Sequence, residues 1–253
     1  MQDAWEMVPH EVNAYFSPEE NCIVFPAGIL QPPFFSRSQP EFLSFGSFGA
    51  VAGHETTHAF DQAGRQYAKD GKLEDWWTNA TVPRFEARRK CIVDQYAKYA
   101  VEDADGKQHF VQANFTNGED SADAGGLNQA WRAWRDRLES DPKGERYDNA
   151  LLPGLSGWTR EQLFFIGEFG NGVLGRGTTP EPGADPRWVV RVFVFPPIAY
   201  AQGWARNVSP AEAVRRVRTD PHSPNFFRVI GPLSNNAVSA RFFLLLFRPG
   251  LGL

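Results

Sequence analysis

Two histidines four residues apart, with a glutamate directly after the first, stand at His54-Glu55-Thr56-Thr57-His58. On a helix, positions i and i+4 share a face, so both imidazoles can point at one metal ion. Glu55 sits about 100° further round, off the ligand axis but within reach of a metal-bound water. A Zn²⁺ ion held by three protein side chains keeps a fourth position for water. Binding lowers that water's pKa to about 7, which makes hydroxide available at neutral pH. The spacing therefore suits hydrolysis by a metal-activated water. Composition alone predicts about 0.006 chance matches to this pattern in the chain. The bland alternative is a pair of surface histidines beside an acid. Against it stands the preceding run Phe45–Gly53, whose apolar and small residues read as a closely packed, buried helix.

The third ligand must come from elsewhere. Within Asn117–Gly126, Glu119 and Asp123 are also i and i+4. One of them can bind metal while the other receives a hydrogen bond from a ligand histidine and fixes its tautomer. The spacing does not say which does which. A further piece is Asp220-Pro221-His222. Asp220 can hold His222 as a cation or in one tautomer, and His222 can then stabilise the oxyanion formed when water attacks a carbonyl. The fork of Arg228 suits a substrate carbonyl or carboxylate. His10 and His109 lack such company and are expected at the surface.

These residues need scaffolding. A helix is predicted from about Ser44 to Phe60, stopped near Gly64. Leu73 to Ala100 reads as largely helical, with Trp76, Trp77, Phe85, Ile92 and Tyr96 as buried candidates. After a polar turn at Asp103–Lys107, another helix is expected from about Asn117 to Leu138. Asn117 would be its N-cap, and Glu119 and Asp120 would lie in the first turn, where the helix dipole favours acids. Thr159 and Ser209 read as caps of two more helices, the second with Pro at its first position. Val12–Phe16 and Cys22–Phe25 are short extended candidates.

The chain has 253 residues, enough for one large domain or two small ones. Hydrophobic residues make up 42% and charged residues 22%, as in an ordinary globular protein. The net charge of −4 and the lack of a basic stripe exclude nucleic acid as the expected partner. No stretch reaches the ~20 apolar residues of a membrane span. No secretory leader is read at the N-terminus. Cys22 and Cys91 do not make a disulfide framework. Sequons at Asn79, Asn114 and Asn207 permit a secreted setting without requiring it.

Taken together, the motifs resemble the catalytic lobe of the neprilysin and endothelin-converting enzyme family of zinc endopeptidases. The resemblance rests on Val12–Phe16, Ile23–Phe35, the His54–Asp61 helix, Gly118–Leu127, and Arg218–Pro224 with Phe227-Arg228-Val229, in that order. It covers most of residues 11–166 and 198–237. It implies a thermolysin-like fold, mainly α with a small β-sheet, and one Zn²⁺ ion held by His54, His58 and Glu119. Glu55 would be general base and then proton donor. Asp123 would orient a ligand histidine, and His222, supported by Asp220, would stabilise the tetrahedral intermediate. Asn13 and Ala14 would hold the substrate backbone as an added strand, and Arg228 would anchor substrate. The implied substrates are peptides. The implied location is extracellular or on a membrane-anchored ectodomain.

The chain also departs from the family pattern. On this reading the large N-terminal helical domain of family members would be absent, and residues 1–253 would form a single catalytic lobe of a longer architecture. Cys91 would lack its usual partner. Residues 167–197 interrupt the expected run from Ile166 into Ala199–Trp204, and 238–253 replace the expected C-terminus. Both segments are expected to be aberrant, read from retained introns. Gly167-Glu168-Phe169 can be encoded by a string containing GTGAGT, and Val238-Ser239 by GTAAGT. A dominant transcript carrying 167–197 as ordinary exon would contradict this. Two functional readings follow: an active zinc endopeptidase, or a silent truncated form that binds zinc or peptide without turnover.

Overall fold

The computed structural model describes residues 5–140, 149–151, 157–173, 209–224, 227–228 and 232. Of the segments expected to be aberrant, 167–197 and 238–253, residues 167–173 continue a helix that begins at Arg160, and the rest lie outside the described residues. Among them the architecture is mainly helical, with two small two-stranded sheets.

Strands β1 (Tyr15–Ser17) and β2 (Cys22–Val24) pair antiparallel, Tyr15 opposite Val24. The extended stretch predicted from Val12 therefore enters the ladder three residues late. Continuing the register would set Asn13 against Pro26, which has no N–H to give.

A helical rod follows as α1 (Glu41–Ser44), a π turn (Phe45–Gly49) and α2 (Ala50–His58). Small residues make the π turn possible. Buried Ser47 places its hydroxyl 2.6 Å from the carbonyls of both Phe34 and Leu43. Gly46 lets the backbone of Phe164 approach so closely that a Cβ would lie 2.0 Å from its carbonyl oxygen.

Helix α3 (Thr81–Tyr96) is shorter than the sequence predicts. Residues 73–80, predicted helical, instead form an irregular stretch that begins at the bridge from Leu73 back to Tyr67. Trp77 there packs edge-on to Phe85, 5.3 Å between ring centres, and the Arg65 guanidinium lies over both rings. Trp76, expected in the core, is 46% exposed, and Leu73 is exposed as well. Thr78 starts the helix by offering its hydroxyl and carbonyl to the amide of Thr81.

The second hairpin, β3 (Ala100–Glu102) and β4 (Gln108–Phe110), turns through the predicted polar segment and leads into α4 (Ala113–Ser140). This helix begins four residues before the predicted start. The carbonyl of Gln112 accepts the amides of Phe115 and Thr116, so Asn117 is a buried residue of the helix body and not its cap. Glu119 and Asp120 accordingly lie beyond the first turn, and the dipole reason for them falls away.

Helix α5 (Arg160–Val173) brings Leu163, Phe164 and Phe165 into the core. Phe165 stacks on Trp131 and Phe164 on Trp134, with centroids 5.0 and 5.4 Å apart. The predicted capping box is present: the Thr159 hydroxyl accepts from Gln162 N, and the Gln162 side chain accepts from Thr159 N. Helix α6 (Pro210–Thr219) is capped by Ser209, whose hydroxyl accepts the amide of Glu212.

The contact between α2 and α4 positions the site. At their crossing Gly53 faces Gly126. A Cβ on Gly53 would lie 2.7 Å from the Gly126 carbonyl, and one on Gly126 2.5 Å from the His54 amide nitrogen. Two glycines thus let the backbones touch beside the first histidine. Glu119, two turns back along α4, is thereby brought within reach of both rings.

Candidate metal centre

His54, Glu55 and His58 stand on the last two turns of α2, with Glu119 and Asp123 one turn apart on α4. Asp220 and His222 follow the C-terminus of α6, and Arg228 comes after them. All but Asp220 line one cavity of about 640 Å³, which Asn13 and Ala14 also border.

Nε2 of His54, Nε2 of His58 and a Glu119 oxygen lie within 4.8 Å of one another. The two nitrogens are 3.0 Å apart, and Glu119 Oε2 is 3.2 Å from that of His54. Donors at ~2.0–2.1 Å from a tetrahedral zinc lie about 3.3 Å from each other, so these edges suit that ion. Asp123 Oδ1 meets His54 Nδ1 at 2.9 Å, and Asp61 Oδ2 meets His58 Nδ1 at 2.7 Å. Those bonds aim each Nε2 at the point between the rings, and a cation there would take the place of the proton that His54 otherwise carries. Glu119 Oε2 is buried yet makes no aligned hydrogen bond, consistent with an oxygen aimed at the point between the rings. The donor set therefore fits zinc.

Asp61 was missed as a functional residue, although it closes the motif quoted above. Its Oδ1 also accepts the amides of Ala63 and Gly64, so the turn that ends α2 locks the carboxylate against His58. Spacing alone gave no signal, because the contact requires the helix to stop at His58.

Arg228 grips Asp123 through Nε and Nη2, each 2.7 Å from a carboxylate oxygen, and Nη2 stands 3.8 Å from Glu119. The fork assigned to substrate on sequence grounds is therefore first a clamp on the acid behind His54. His222 Nδ1 meets Asp220 Oδ1 at 2.8 Å, and its Nε2 is 3.3 Å from Glu119 Oε2. His10 is exposed, as expected. His109, expected at the surface, is half-buried, with Nε2 2.7 Å from Asp103 and Nδ1 accepting from Arg218.

Burial alone would lower the pKa of His54, but Asp123 and Glu119 outweigh it and lift the metal-free ring to about 10. Burial works the other way on Glu119, where the His54, His222 and His58 rings prevail and hold it at about 2. Glu55 is 6% exposed, and burial pushes its carboxyl above the ordinary range despite the neighbouring histidines. A carboxylate with raised proton affinity is a better base near neutral pH.

Zinc must displace the His54 proton over the whole range below that ring's pKa. Apparent zinc affinity is thus expected to rise about tenfold per pH unit between pH 7 and 9. Competition titrations against a metal indicator at several pH values check this, and a flat profile would contradict it.

A helix-borne histidine pair, a carboxylate from a second helix and a neighbouring buried acid together define a metallopeptidase type of centre. Peptidase family M13 matches residues 13–170, and the chain belongs to that family. It is 41% identical over 242 residues to human endothelin-converting enzyme 1, covering 96% of this chain and 26% of that protein. It is 40% identical over 232 residues to neprilysin-11 of Caenorhabditis elegans, covering 91% and 22%. Among solved structures it resembles the Mycobacterium tuberculosis zinc metalloprotease Zmp1 in complex with inhibitor. That likeness has a TM-score of 0.69 and 35% identity over 96% of this chain and 31% of that one. PepO of Lactobacillus rhamnosis gives a TM-score of 0.64 at 27% identity, covering 98% and 30%. The chain spans about a quarter of the length of the curated relatives it matches.

Proposed function

We propose that the chain is the catalytic lobe of a zinc endopeptidase that hydrolyses peptides. The observation that carries this is the convergence of the His54, His58 and Glu119 donor atoms within 4.8 Å beside buried Glu55. One bound zinc would supply Lewis acidity and a water of low pKa. Glu55 would take a proton from the attacking water and return it to the leaving amine. His222, held by Asp220, donates to the oxyanion as it forms. Asp123 and Asp61 keep the ligand rings in the tautomer that leaves Nε2 free. The backbone at Asn13 and Ala14, at the cavity edge where β1 begins, receives the substrate as an added strand. Arg228, already set by Asp123, faces the same cavity and anchors the substrate. An extracellular or membrane-anchored setting follows the relatives; among the described residues no helix is long and apolar enough to cross a membrane.

The test is cleavage of a quenched peptide by the purified chain with and without chelator, alongside a zinc assay. Chelator-sensitive cleavage, restored by zinc, is expected. Zinc at full occupancy without cleavage would contradict the proposal and favour the silent form.

A further inference from the structure

His222 reaches the metal centre from a short segment that follows α6, and both it and Asp220 are substantially exposed. Something must therefore fix the height of that segment over α4. The last helical bond of α6 runs from the Asp220 amide to Arg216 O at 2.9 Å. The carbonyls next in line, Val217 O and Arg218 O, lie at a helix end where intrahelical donors have run out. The carboxamide of Gln112 supplies one: its Nε2 is 3.3 Å from Val217 O and 3.1 Å from Arg218 O. Gln112 also begins α4, through its own carbonyl, two turns before Glu119. One residue thus ties the start of the ligand-bearing helix to the end of the helix that delivers His222. On the same side, Arg218 donates to His109 of β4, and Phe227 stacks on Tyr99 with centroids 4.7 Å apart.

We propose that Gln112 is a positioning residue for His222, holding the end of α6 so that the imidazole stays over Glu119. This rests on the endopeptidase reading for its kinetic consequence but not for its structural one. The variants are Q112M, which keeps the length and loses the donor, and Q112K, which restores a donor to the same carbonyls. The first readout is hydrogen exchange in the zinc-loaded full chain, which needs no turnover. Q112M is expected to speed exchange at the Asp220 amide at least about tenfold, leave the body of α4 unchanged, and be corrected by Q112K. Unchanged exchange at Asp220, or equal loss of protection along α4, would overturn the inference.

The second readout is cleavage. Q112M is expected to lower kcat about tenfold with KM and zinc content unchanged, and to have no further effect in an H222A background. An equal loss in both backgrounds would reduce Gln112 to a general stability residue and overturn the inference. A parent chain that fails to cleave would refute the endopeptidase reading alone, because the exchange experiment still decides the role of Gln112.

Discussion

Glu55→Gln is expected to bind zinc as the parent chain does and to lower kcat for peptide cleavage about 1000-fold. The carboxamide has nearly the shape of the carboxylate and fills the same buried space. It cannot take a proton from water or return one to the amine. Glu55 is not among the grouped donor atoms, so metal affinity should be untouched. Parallel zinc assays and steady-state kinetics check this. Loss of zinc in the variant would make Glu55 a ligand or a structural support, and unchanged turnover would remove it from the mechanism.

Asp123→Ala is expected to fail differently, by weakening the site itself. Its carboxylate serves two masters, His54 Nδ1 and the Arg228 fork, and its side chain is 11% exposed. Burial would raise its pKa, but Arg228 and His54 hold it well below the ordinary carboxylate range. Removing one partner of such a pair strands the other charge, at a cost of about 3 kcal/mol. The guanidinium left behind keeps some solvent contact, at 25% exposure, so this lies at the low end for buried pairs. Zinc affinity should also fall about 10–100-fold, as expected when a carboxylate supporting a ligand histidine is lost. Thermal denaturation of the zinc-free chains separates the two effects, because the stability loss must appear there too. If only zinc affinity changed, the clamp with Arg228 would be energetically idle.

How much of this was legible beforehand depended on how local each feature is. The pairing of His54 with His58, and of Glu119 with Asp123, follows from helical spacing, and α2 and α4 present both pairs on shared faces. Caps at Thr159 and Ser209 were readable because a cap is a contact between residues three apart. The start of α4 was not, because Asn117 looks like a cap and is instead a buried residue of the helix body, the first amides being taken by the Gln112 carbonyl. Trp76 and Leu73 look like the start of an amphipathic helix, yet a β-bridge and the Arg65–Trp77–Phe85 stack claim that stretch. Asp61 was hidden for another reason. Its reach to His58 depends on where the helix stops. Arg228 was visible as a fork but not as a clamp, since its partner lies 105 residues away. His109 gave no sign of burial, because its shelter comes from α6.

The central claim is that two imidazoles from α2 and one carboxylate from α4 hold a single zinc ion with a place left for water. X-ray absorption at the zinc edge, on the parent chain and on E119A, tests it most directly. The parent should hold one zinc per chain with four nitrogen or oxygen neighbours at about 2.0–2.1 Å, and E119A should lose affinity and change that shell. A sulfur neighbour from Cys22 or Cys91, or an E119A spectrum identical to the parent's at equal affinity, would contradict the account.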